Sequence, residues 1–141
     1  MQPYLLHPAF VHFPIAFLVL GVLVDAAAVL RGAAELRRAA SALLIIGSAC
    51  LWIAVGLGLL AERTAPHVPA AWEVLADHEM LAYVTAGAFS AFTLLRLIVL
   101  RRRWRWLQLV LWLGAAAVLG ATAYHGGELV FRFGMGVTAA Q

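Results

Sequence analysis

The chain is poor in charge, has no lysine and has a single cysteine. Only 12% of its 141 residues are charged, about half the share of a soluble domain. With 65% hydrophobic residues and a mean hydropathy of +0.93, it reads as an integral membrane protein with room for one compact helical bundle. All ten basic residues are arginine, and they cluster beside apolar runs. The net charge of +3 therefore reports membrane orientation and not nucleic-acid binding. Cys50 lies alone within an apolar run, which excludes a disulfide within the chain and leaves redox compartment unread. No Lys or Arg precedes the first apolar run, which argues against a cleaved signal peptide and for a retained span. There is no Gly-rich phosphate loop, no Ser-His-Asp set, no carboxylate pair inside an apolar run and no Cys-x-x-Cys-His. A hydrolase, an ATP-driven pump and a c-type cytochrome thus have no support.

Four runs are long enough to span a bilayer, which takes about 20 residues. They are 10–30, 40–61, 80–100 and 107–124, followed by a Gly-rich tail over 125–141. The expected fold is an all-α, four-helix transmembrane bundle forming a single domain over 1–141, with no evident repeat. Arg31, Arg37 and Arg38 in the first link, and Arg96, Arg101, Arg102, Arg103 and Arg105 around the third, put eight of ten arginines at one end. By the positive-inside rule both termini and the long second link face outward, to the periplasmic side of the inner membrane.

All five histidines fall at the other end. His7 and His12 open span one, His67 lies in the outer link, His78 opens span three and His125 closes span four. Counted along ideal helices from Arg31, Arg101 and Arg105 at the other end of their spans, His7, His12, His78 and His125 fall within a slab of about 8 Å. A single imidazole at headgroup level can simply be wet, and His67, in a Pro-flanked loop, reads as solvent-exposed. Four histidines from three helix ends read instead as a ligand site, of the kind that helical bundles build from facing side chains.

Two cofactor types fit. A haem b needs two axial histidines on facing helices, an apolar slot and cations near the propionates. His12 with His78 is the first pair, with His7 and His125 as supporting groups, alternates or ligands of a second haem. Phe10, Phe13, Trp72, Tyr83, Tyr124 and Phe131 are candidate walls, and Arg63 and Arg132 candidate propionate partners. A copper, zinc or iron site would instead gather three or four of these histidines, with Glu79 or Glu128. Pro14, which frees the carbonyl of Phe10, is expected to bend span one and turn His12 inward, unless Pro8 and Pro14 only mark a ragged helix start.

Asp25 and Arg96 sit at similar depth inside spans one and three. A structural ion pair is preferred over a proton relay, because an unpaired acid at that depth is costly. Such a pair would make spans one and three neighbours. Gly47, Cys50, Ala54 and Gly58 in span two, and Gly114, Ala117 and Ala121 in span four, form small-residue stripes suited to close helix packing, in the bundle or in a homodimer.

His7-Pro8, Val11-His12-Phe13-Pro14-Ile15-Ala16, Asp25, His78, Arg96 and the closing 126–137 motif, Gly-Gly-Glu-Leu-Val-Phe-Arg-Phe-Gly-Met-Gly-Val, resemble the bacterial membrane-protein family catalogued as domain of unknown function 2231. The resemblance covers essentially the whole chain. It implies four spans and a cell-membrane location. Relatives that join the domain to cytochrome c-like or Rieske-type modules imply electron transfer. In the closing motif Gly126-Gly127 is expected to end span four, and the tail either folds back over the outer histidines or frays.

The leading expectation is a small membrane b-type cytochrome, an electron carrier more than a catalyst, passing electrons from a membrane donor such as quinol to a periplasmic acceptor. A non-haem metal-binding membrane protein is the alternative, and a structural or partner-binding subunit the third reading.

Overall fold

The structure, a computed structural model, describes residues 2–98 and 102–137. Val99, Leu100 and Arg101, the expected end of span three and part of its arginine cluster, lie outside the described residues. The apolar runs form α1 (Leu6–Phe10), α2 (His12–Arg31), α3 (Ala34–Thr64), α4 (Trp72–Ile98) and α5 (Arg105–Phe131), with short 3-10 turns at Pro3–Leu5, Pro69–Ala71 and Arg102–Trp104. Four of these units, Pro3–Arg31, Ala34–Thr64, Pro69–Ile98 and Arg105–Phe131, are long and apolar enough to cross a membrane. Large apolar side chains also cover the outside: Leu23, Leu30, Leu94, Ile98 and Val110 are each 60% exposed or more. Such a surface suits hydrocarbon and not water.

The helices overrun the spans read from hydropathy, because polar residues continue each helix past its apolar stretch. The first link shrinks to Gly32 and Ala33, where Gly32 adopts φ 67° and closes α2 with its N–H on the Ala28 carbonyl. Nor do Gly126 and Gly127 end the last helix, as expected from the motif. Helix α5 runs through both to Phe131, and Gly134, at φ 66°, caps it by donating to the Val130 carbonyl at 3.1 Å. The tail then turns back, so that a Cβ on Gly136 would lie 3.4 Å from Pro8 Cγ.

Helix α2 packs on α3 and α5, and α4 packs on α3 and α5. Spans one and three are therefore diagonal, not neighbours as the sequence suggested. The expected ion pair forms nonetheless: the Arg96 guanidinium reaches across the core, and Nη2 donates to Asp25 Oδ1 at 2.6 Å. Both residues are at most 1% exposed. Arg96 also donates from Nε to Ser41 Oγ at 2.9 Å and lies 5.2 Å over the Trp112 ring. Gly47 resolves one small-residue stripe, since a Cβ there would meet Leu18 Cγ at 2.6 Å. This stripe packs within the bundle. Gly114, Ala117 and Ala121 are exposed instead.

The bundle also holds a repeat that the sequence did not reveal. Asp25 follows His7 by 18 residues, and Arg96 follows His78 by 18. The hairpin α1–α2–α3 and the hairpin α4–α5 bury many of the same positions. Pro14, Leu18, Gly21 and Asp25 answer to Thr85, Phe89, Phe92 and Arg96; Ala40, Leu44, Gly47, Leu51 and Ala54 answer to Gln108, Trp112, Ala115, Leu119 and Thr122, all buried. Each hairpin begins and ends at the same end of the bundle, so the halves are parallel repeats about an axis along it. The buried side chains differ in size because large ones fill the space that small ones leave on a neighbouring helix, as Trp112 does over Gly21, where a Cβ would lie 2.6 Å from its ring. That complementarity hides the repeat from a residue-by-residue reading.

Candidate functional site

The short helix α1 is set off from α2 by a break at Val11, three residues before Pro14, which has no N–H to give. The break falls where Pro14 predicted a bend, but it turns His7 inward and not His12. His7 Nδ1 lies 2.9 Å from the carbonyl of Ala54 on α3. A carbonyl only accepts, so Nδ1 carries the proton and Nε2 keeps its lone pair. One turn further along α3 is Gly58, where an added Cβ would lie 3.2 Å from His7 Cε1. The glycine lets the imidazole lie against the helix backbone.

His78 repeats this arrangement in the other hairpin. Its Nδ1 lies 3.0 Å from the carbonyl of Thr122 on α5, which fixes the same tautomer. One turn on is Gly126, where a Cβ would lie 3.0 Å from His78 Cε1. The Thr85 and Thr122 hydroxyls, 2.7 Å apart, join α4 to α5 below it. Helix α4 begins at Trp72, so His78 stands nearly two turns inside it and not at the start of span three.

The two half-buried rings face each other with centroids 6.2 Å apart and planes at 76°. Of the equivalent positions named above and in this pair, only His7/His78, Leu51/Leu119 and Gly58/Gly126 keep the same residue in both hairpins. The halves have diverged in their packing but share an imidazole and the glycine that seats it.

The other sequence candidates take no part in this ring pair, although His125 lies close enough to His78 for their charges to interact. His12 is exposed, its Nδ1 3.4 Å from the Ala9 carbonyl. His125 Nδ1 stands 3.5 Å from Glu128 Oε2, with the ring edge-on to Tyr124. His67 is exposed and lies by Trp72 at 6.5 Å. Arg63 is exposed, and Arg132, also exposed, is held by Glu128 at 3.4 Å. Phe13, Trp72, Tyr83, Tyr124 and Phe131 are 43% exposed or more, so they face outward and wall no enclosed slot. Phe10 packs on Phe13. Among the described residues no three His, Cys, Asp or Glu side chains converge as a metal site would need, so the expected gathering of three or four histidines is not assembled.

Sequence reasoning missed the two carbonyls and misread both glycines, Gly58 as packing and Gly126 as a helix end. The signal that would have found them is the equal spacing of His7 to Asp25 and His78 to Arg96.

A four-helix bundle of membrane-spanning character, built from two like hairpins with a histidine pair between them, is the class of protein that these features define. The chain belongs to the family of predicted membrane proteins named for domain of unknown function 2231 (DUF2231), whose model matches residues 4–139. No curated protein and no solved structure matches the chain.

Proposed function

We propose that this protein is a membrane b-type cytochrome whose haem is held by His7 and His78. The observation that carries the reading is the symmetric pair of imidazoles, each held by an Nδ1–H···O=C bond with Nε2 left free to ligate. Metal-binding histidines are oriented in this way. The spacing supports it too: about 2 Å for each metal–nitrogen bond and about 1 Å from that nitrogen to its ring centre come to about 6 Å between rings. The observed 6.2 Å is close to that. Two histidine nitrogens would suit a haem, whose other ligands would come from its own porphyrin, better than a bare copper or zinc ion, which takes three or four protein ligands. This favours haem over the metal-handling alternative.

Bound there, the group would supply one-electron chemistry, and with both axial positions taken by histidine it would favour electron transfer over oxygen binding. The chain's part is to fix both tautomers, to set ring orientation through Ala54, Gly58, Thr122 and Gly126, and to keep the pair inside a low-dielectric bundle. The arginine bias supports an inner-membrane orientation with this end outward. There a membrane quinol and a periplasmic c-type or Rieske-type partner are the expected donor and acceptor.

The test is an absorption spectrum of the detergent-purified protein from haem-replete cells, oxidised and dithionite-reduced. Sharp α and β bands on reduction, lost in His7→Ala and in His78→Ala but kept in His12→Ala, support the reading. A featureless visible spectrum refutes it.

A further inference from the structure

Among the described residues the opposite end of the bundle carries seven arginines and two acids, Asp25 and Glu35. Both acids are engaged, Asp25 by Arg96 and Glu35 by Arg38. Arg37 is held on one side only. Its Nη2 donates to Gln108 Oε1, Nη1 stands 3.9 Å from the already paired Asp25 Oδ1, and Nη1 is buried with no hydrogen-bond partner. Arg37 feels the like charge of Arg96, the opposite charge of Asp25 and the like charge of Arg105, in that order of size. An uncompensated cluster of guanidinium groups at the edge of an apolar medium favours an anion.

Beside this cluster runs an open apolar groove of about 310 Å³, lined by Leu95, Trp104, Leu107, Gln108 and Leu111. The groove and the charge are joined. Gln108 forms part of the wall and binds Arg37, Arg103 lies 5.3 Å over the ring of Trp104, and Arg105, the first residue of α5, follows Trp104 in the chain. A hydrocarbon slot rimmed by three arginines matches one ligand chemistry: an acyl chain ending in a phosphodiester. Basic pockets between membrane helices hold anionic lipid headgroups in this manner.

We infer that the arginine-rich end binds one anionic phospholipid, its phosphate held by Arg37 and Arg105 with Arg103 at the rim, and an acyl chain laid along Leu95, Leu107 and Leu111. The site is independent of the histidine pair and of any cofactor there.

The full-length protein, delipidated in a neutral detergent, is offered phosphatidylglycerol or phosphatidylcholine with the same acyl chains. Retention is read by native mass spectrometry and stability by thermal unfolding. One phosphatidylglycerol should be retained with a preference of at least about tenfold, since each arginine near the headgroup contributes. Arg105→Gln should cut the preference by about fivefold without changing the lipid-free melting temperature, and Arg105→Lys should keep most of it. Leu111→Trp, which fills the groove and leaves charge unaltered, should weaken retention of phosphatidylglycerol, whereas Leu97→Trp should not. Equal retention of the two lipids, an Arg105→Gln protein whose preference for phosphatidylglycerol is undiminished, or equal stabilisation by inorganic phosphate alone would each overturn the assignment.

Discussion

Asp25 and Arg96 occupy the same position in the two hairpins, and Arg96 Nη2 meets Asp25 Oδ1 at 2.6 Å across the bundle diagonal. Equivalent positions have thus taken opposite charges, and a long side chain spans a distance that the helices do not close. The first prediction follows from this. Asp25→Asn leaves a guanidinium without its counter-charge in the core and should cost about 3–5 kcal/mol. The exchange Asp25→Arg with Arg96→Asp should recover a large part of that loss, because the two sites are related by the internal repeat. Denaturant or thermal unfolding in detergent measures both.

Gly47 and Gly114 give a contrast within one residue type. A Cβ at Gly47 would stand 2.6 Å from Leu18 Cγ, whereas at Gly114 it meets nothing within 4 Å. Gly47→Val should destabilise the bundle by about 1–3 kcal/mol through forced separation of α2 and α3. Gly114→Val, on an exposed face, should stay within about 0.5 kcal/mol of the parent. Equal melting temperatures for the two variants would contradict the packing.

Gly126→Val tests the seat of His78. The new side chain would enter the space of Cε1, where a Cβ alone comes within 3.0 Å, and would push the ring from the Thr122 carbonyl. Under the cytochrome reading, bound haem should fall severalfold while helix content by circular dichroism is unchanged. Gly58→Val should act in the same way through His7. Gly120→Val, where nothing lies within 4 Å of the added Cβ, should leave the haem in place.

The 76° between the imidazole planes carries a spectroscopic expectation. Were a haem held by both rings, near-perpendicular imidazole planes would bring the iron orbitals that meet their π systems close in energy. Under the cytochrome reading, the oxidised protein should therefore give an electron paramagnetic resonance signal of unusually large g anisotropy. A rhombic signal of the kind given by parallel imidazoles would exclude ligation by the two rings as they stand.

The sequence alone decided the environment and the number of spans, because scarcity of charge and run length are set by the transfer of side chains and backbone into hydrocarbon. It also found the Asp25–Arg96 pair, since depth along a helix follows from 1.5 Å per residue and a buried acid demands a partner. It placed the histidines at one end for the same reason. Which histidines meet was not legible. His7 and His12 are close in depth, and the choice between them rests on rotation about the helix axis after the break at Val11. The diagonal placement of α2 and α4, the carbonyls of Ala54 and Thr122, and the seats at Gly58 and Gly126 all belong to neighbouring helices. They depend on how four cylinders pack around a shared axis, and that was decided only when side chains of unequal size, Gly21 beneath Trp112 and Gly47 beneath Leu18, fixed the register between helices.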